Sequence, residues 1–213
     1  ISSSGHLLLL EKFGIGEENL FFNVCLHLGT LVAVLIALRK EWVPLVLHPF
    51  QKKTGYLILA CVPTVIIAVV FKVFFPDLLG GRFLGLGFVI TACLLFATNL
   101  RHFAQNNVYD VKISILCGVC QGIAVLPGIS RSGATIASLM LSGVKKEDAA
   151  SFSFLLSIPI ILGSAVVETA EVIHTGIGQI DVIPLVVGVL CAFVSGLVSI
   201  KFFLKLIAKK SLV

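Results

Sequence analysis

Residues 127–135 read Pro127-Gly128-Ile129-Ser130-Arg131-Ser132-Gly133-Ala134-Thr135. Apolar sequence runs up to them from Ile113 to Leu126 and away from them through Ile136 to Leu141. An arginine, two serines and a threonine at membrane depth are costly unless they bind something or line a wet cavity. A phosphate suits this set best. A helix beginning here would offer unpaired backbone N–H groups and positive dipole potential. Gly128 and Gly133 would let the backbone approach a ligand closely. Arg131 carries a planar fork matched to phosphate oxygens. Ser130, Ser132 and Thr135 add hydroxyls, Thr135 one turn into the helix from Arg131.

The surrounding composition places this stretch in a membrane. The chain has 213 residues, of which 58% are hydrophobic and only 13% charged, with a mean hydropathy of +1.09. Soluble domains carry about 25% charged residues, so the expected class is an all-α polytopic membrane protein. The net charge of +5 matters less than where the charges fall, and no nucleic-acid partner is expected. Six cysteines lie in apolar stretches without a disulfide framework. Cys117 and Cys120 read as two small residues on one helix face rather than as a redox or metal pair.

Runs long enough to cross a bilayer need roughly 17–25 residues. Residues 20–38, 54–75, 83–100 and 181–204 meet that, and 149–173 does so across Pro159, giving about five transmembrane helices. Residues 113–143 read instead as a re-entrant helix-loop-helix, because irregular backbone at that depth must be buried in protein or line a cavity.

The two ends of the chain resemble each other. Ile1-Ser2-Ser3-Ser4-Gly5 and Ile129-Ser130-Arg131-Ser132-Gly133 align at an offset of 128 positions, and the spans after them align too. This predicts an internal repeat within a single membrane domain 1–213, its halves at about 1–100 and 112–213. Placing Arg39, Lys40, Lys52, Lys53, Arg101, Lys112, Lys145, Lys146, Lys205, Lys209 and Lys210 on the cytoplasmic side puts Glu17 and Glu18 opposite. The repeat would then be of inverted topology, with two re-entrant elements, the first only partly present. Inverted repeats commonly bring broken helices face to face around a midplane site. The turn Ser2-Ser3-Ser4-Gly5-His6 should therefore meet the Arg131 turn, adding hydroxyls and a histidine. A hydroxyl beside a histidine suits covalent catalysis, and His6 could equally be the acid or the nucleophile.

These two elements resemble the signatures of the undecaprenyl-pyrophosphate phosphatase, or bacitracin-resistance protein, family. Its Pro-Gly-x-Ser-Arg-Ser-Gly-x-Thr motif stands as residues 127–135 without departure, and its Ser-Ser-x-Gly-His element as residues 2–6. Leu26-His27-Leu28-Gly29-Thr30 and the stretch Phe152–Pro159 are family-like too. The resemblance implies hydrolysis of undecaprenyl (polyprenyl) diphosphate to the monophosphate. This recycles the lipid carrier for bacterial cell-wall synthesis and confers bacitracin resistance. It implies Mg2+ or Ca2+ as cofactor, and a multi-pass location in the bacterial plasma (inner) membrane with the active site toward the outer face.

On that likeness Arg131 clamps the diphosphate, Ser3 is the nucleophile or key hydroxyl and His6 the acid/base. Ser2, Ser4, Gly5, Gly128, Ser130, Ser132, Gly133 and Thr135 line the substrate. The expected partners are the lipid and the membrane, and a homodimer is compatible with both. The family's acidic motif, whose carboxylates suit a hard divalent cation, would lie upstream of residue 1, so no metal ligand is expected in this chain. The final helix is expected to be missing as well, leaving a chain truncated at both ends and inactive as it stands, with the activity belonging to the full-length parent. A polyprenyl-phosphate transporter or flippase is the alternative reading, since inverted repeats with a midplane anion site suit it.

Overall fold

The computed structural model describes residues 2–13, 20–100, 109–175 and 182–209. Ten helices form among them: α1 (Ser3–Lys12), α2 (Leu20–Ala37), α3 (Arg39–Leu47), α4 (Lys52–Phe74), α5 (Pro76–Leu79), α6 (Leu84–Leu100), α7 (Val111–Ile123), α8 (Arg131–Leu141), α9 (Lys146–Thr175) and α10 (Val182–Lys209). Three of them hold segments long and apolar enough to cross a membrane, Lys52–Phe74, Lys146–Ala170 and Val182–Leu206. The chain is an all-helical, multi-pass membrane protein.

The number of spans departs from the five expected. The run 20–38 ends at Leu38, where α2 and α3 meet at 86°, and only the pair together passes as a fourth span. The bend is held locally: Leu38 N–H still bonds to the Val34 carbonyl, and the Trp42 indole donates to the Leu35 carbonyl at 2.8 Å. The run 83–100 forms α6, whose 17 residues reach about 25 Å at 1.5 Å per residue, short of a hydrocarbon core of about 30 Å. Pro159 does not end α9, which continues through it.

The helices fall into two compact units. One holds the described residues within Ile1–Gly16 and Pro49–Ser153, the other those within Glu17–His48 and Phe154–Ser211. The units cut across the halves expected from the repeat, each taking helices from both. In the second unit α2 packs along α10 through small residues. A side chain on Gly29 would strike the Val189 carbonyl at 2.9 Å, and Gly196 faces Ala33. Without a hydrophobic drive between helices in lipid, such close backbone packing supplies the association.

The first unit contains both turns singled out above. There α7 lies on α4: a side chain on Gly118 would overlap the Ala60 carbonyl, and one on Gly122 would meet Ile67. Thr64 and Gln121 seal this seam. The Thr64 hydroxyl sits 2.9 Å from the carbonyls of both Ala60 and Gly118 and accepts from Gln121 Nε2 at 3.1 Å. Residues 111–141 form the expected helix, turn and helix. Helix α8 ends on Gly143, at φ +90°, with Val144 N–H returned to the Leu139 carbonyl, a Schellman closure that satisfies the last carbonyls. Cys117 is buried, Cys120 is half-buried, and both are free thiols.

Candidate active site

The turn before α8 is shaped by Gly128, whose φ of +92° is a conformation that other residues adopt only with strain. A side chain there would also overlap the Leu84 carbonyl of α6. Ser130 then opens α8 as its N-cap: its Oγ accepts the Gly133 N–H at 3.1 Å and its carbonyl accepts the Ala134 N–H at 2.8 Å. Such a cap satisfies one of the donors that a helix start leaves open. Ser130 is 1% exposed, so its hydroxyl is part of the helix start.

Arg131 occupies the first helical position and is half-buried, as is Ser132. Among the described residues neither the Arg131 guanidinium nor the Ser132 hydroxyl has a partner, and the backbone N–H groups of both residues are likewise unbonded. A half-buried cation beside two open N–H groups could hold an anion. Thr135 lies differently. It is fully buried, with its hydroxyl 2.9 Å from the Arg131 carbonyl and 2.6 Å from Ser153 Oγ. The shorter bond joins the two hydroxyls, either of which can donate. Thr135 thus ties the first turn of α8 to the first turns of α9.

The N-terminal turn repeats the cap. Ser2 is buried, and its Oγ accepts the Gly5 N–H at 3.3 Å, as Ser130 does for Gly133. The Ser2 carbonyl accepts two bonds from His6, one from the backbone N–H at 3.2 Å and one from Nδ1 at 2.6 Å. A carbonyl can only accept, so Nδ1 carries a proton, and in the neutral ring Nε2 keeps its lone pair. The imidazole meets Phe88 of α6 edge-on, centroids 5.3 Å apart, and its side chain is exposed. Ser3 and Ser4 stand in the first turn of α1; their side chains lie outside the described residues.

The two turns meet. A side chain on Gly5 would stand 3.0 Å from the Gly128 Cα and 3.0 Å from the Phe88 ring. Of the eleven residues singled out from sequence, this contact assembles Gly5 and Gly128 directly, with His6 and Arg131 each close by along the chain.

One contributor escaped the sequence reading. Thr91 of α6, 8% exposed, accepts the Ser130 N–H at 2.9 Å and lies 3.0 Å from the Gly87 carbonyl and 3.3 Å from that of Gly128. Beside it, Gly87 lets the turn settle on the helix: a side chain would stand 2.6 Å from the Pro127 carbonyl. The only trace of this in sequence is a glycine and a threonine one turn apart in an apolar run. Next to Pro127 lies an apolar groove of about 60 Å³, lined by Phe83, Leu86, Ile90, Leu126 and Ile129 among others.

Among the described residues no group of three or more His, Cys, Asp or Glu could hold a metal ion. The carboxylates that the resemblance implies for a divalent cation are expected outside these residues.

The family model for "Bacitracin resistance protein BacA" matches residues 1–213. The chain belongs to this family. It is 40% identical to a protein of Carboxydothermus hydrogenoformans named undecaprenyl-diphosphatase, across 100% of this chain and 84% of that protein. A Halothermothrix orenii protein of the same name is 33% identical over the same shares. Undecaprenyl-diphosphatase 4 of Bacillus thuringiensis subsp. konkukian is 35% identical, over 100% of this chain and 83% of its own length.

Proposed function

We propose that this BacA-family protein hydrolyses undecaprenyl diphosphate to the monophosphate and inorganic phosphate. It is an enzyme of the phosphatase class, as the names of its relatives support. The observation that carries the reading is the contact of Gly5 with Gly128, which brings a histidine-bearing turn against a turn whose arginine has no described partner.

In this reading the terminal phosphate lies at the start of α8, held by the Arg131 guanidinium and the N–H groups of Arg131 and Ser132. These donors neutralise charge as the phosphoryl group transfers, and positioning with electrostatics dominates such reactions. His6 Nε2, left unprotonated by the bond from Nδ1 to Ser2, takes a proton from the attacking water. The new phosphorus–oxygen bond forms as the bond to the bridging oxygen breaks, and the bridging oxygen leaves on the prenyl monophosphate. Ser3 as nucleophile or key hydroxyl, and Ser4 beside the substrate, remain roles that the resemblance implies. Ser2, Ser130, Gly133 and Thr135 serve by fixing the two helix starts. The apolar groove beside Pro127 takes the start of the prenyl chain, and its 60 Å³ leaves the remainder in lipid.

The physiological role follows the resemblance. Hydrolysis at the outer face of the bacterial inner membrane returns the lipid carrier to cell-wall synthesis and removes the diphosphate that bacitracin binds. The test is release of inorganic phosphate from farnesyl or undecaprenyl diphosphate by the purified protein in detergent. Release that persists unchanged in Arg131→Ala would refute the clamp, and lipid movement across vesicles without phosphate release would favour a flippase.

A further inference from the structure

We infer that Thr91 is a positioning residue for phosphate recognition, acting through the backbone of the Gly128–Ser130 turn; this rests on the reading of Arg131 as the clamp. Two N–H donors and two carbonyls around that turn are taken up by Thr91 and Ser130. Thr91 takes the Ser130 N–H at 2.9 Å, and Ser130 Oγ takes the Gly133 N–H at 3.1 Å. The Thr91 proton is shared between the carbonyls of Gly87 and Gly128, at 3.0 and 3.3 Å. This turns the Gly128 carbonyl, an acceptor that would repel an anion, toward α6. The donors left at the head of α8 are those of Arg131 and Ser132.

The arrangement is confined to α6 and the turn. Gly87, four residues before Thr91, admits the Pro127 carbonyl, and Gly128 rests against Leu84. The face Leu84–Gly87–Thr91 is thus a seat for the turn, and Thr91 places its hydroxyl between that seat and the turn's backbone. A valine has nearly the same shape and none of the hydrogen bonding. It would leave a buried N–H unsatisfied and free the Gly128–Ser130 segment to rotate. Serine keeps the hydroxyl and removes only a methyl group.

The experiment measures binding of a non-hydrolysable farnesyl methylenediphosphonate to the full chain in detergent micelles by titration calorimetry. It compares the wild type with Thr91→Val, Thr91→Ser and Arg131→Ala, with the thermal midpoint of each recorded. Thr91→Val should weaken binding about tenfold or more, and Thr91→Ser should return it to within about threefold. In steady-state hydrolysis the Thr91→Val loss should fall on KM as well as kcat, because the bound ground state uses the same donors. Wild-type affinity in Thr91→Val would overturn the inference while leaving the clamp intact. Weak binding in both Thr91 variants, tracking a lowered thermal midpoint, would overturn it too, by reducing Thr91 to a packing role. Wild-type affinity in Arg131→Ala would instead overturn the clamp on which the inference rests.

Discussion

At the start of α8, Ser130 caps the Gly133 N–H, and at the start of α1, Ser2 caps the Gly5 N–H in the same way. Behind the caps the two turns differ. The α8 turn is fastened from both sides, by Thr91 on α6 and by Thr135 with Ser153 of α9, and residues Gly133–Leu139 are all buried. The α1 turn meets Gly128 through Gly5 and Phe88 through the His6 ring, and the other end of α1 adds a 3.2 Å bond from Lys12 Nζ to the Gly81 carbonyl. A polar group held at fixed geometry is worth most where charge must be met without reorganisation. The turn held by Thr91 and Thr135 carries the arginine, whereas the other carries an exposed histidine, the proton acceptor of the proposed mechanism. In the proposed mechanism one local motif thus serves as a clamp in one place and as a support for acid–base chemistry in the other.

The largest expected effect tests the clamp. Arg131→Ala should lower kcat/KM in phosphate release by about 10³-fold. Arg131→Lys, which keeps charge and loses the fork, should recover only part of that. His6→Ala should come next, lowering kcat by about 10²-fold while binding of the diphosphonate stays near wild type. Equal losses in binding and turnover would erase the division of labour between the turns.

The glycine contact offers a sharper comparison. Gly5→Ala adds a methyl 3.0 Å from the Gly128 Cα and should cost about tenfold in kcat with a small change in thermal midpoint, since positioning errors act steeply on rate. Gly128→Ala meets both positive φ and the Leu84 carbonyl. It should destabilise the fold by roughly 1–3 kcal/mol, visible as a lower midpoint. The smallest effects belong to the caps: Ser130→Ala and Ser2→Ala should each cost about 1 kcal/mol in stability. The loss should be larger at Ser130, because α8 is buried along its length.

Much of this was legible from residues alone. The runs 54–75, 149–173 and 181–204 became α4, α9 and α10 within a few residues, since long apolar periodicity leaves few options in lipid. The bend at Leu38 was not, because an apolar residue between Ala37 and Arg39 carries no break signal; in the structure the Trp42 indole spans it by a bond to the Leu35 carbonyl. Both turns were visible as Ser-x-x-Gly sequences, but the duties of their hydroxyls were not. Thr135 looked like a ligand residue from its spacing, and the structure places its hydroxyl against Arg131 and Ser153.

The sequence by itself determined the membrane class and the two serine-glycine turns, and it carries the proposal of a phosphate at residues 127–135. Each of these follows from composition or from groups three or four residues apart. Tertiary structure decided that Gly5 rests on Gly128, that Thr91 fastens Ser130 from 39 residues away, and that Thr135 faces inward. Those contacts depend on which helix faces another in space. Along the chain, a threonine that orients a phosphate turn reads the same as one that merely satisfies its own helix.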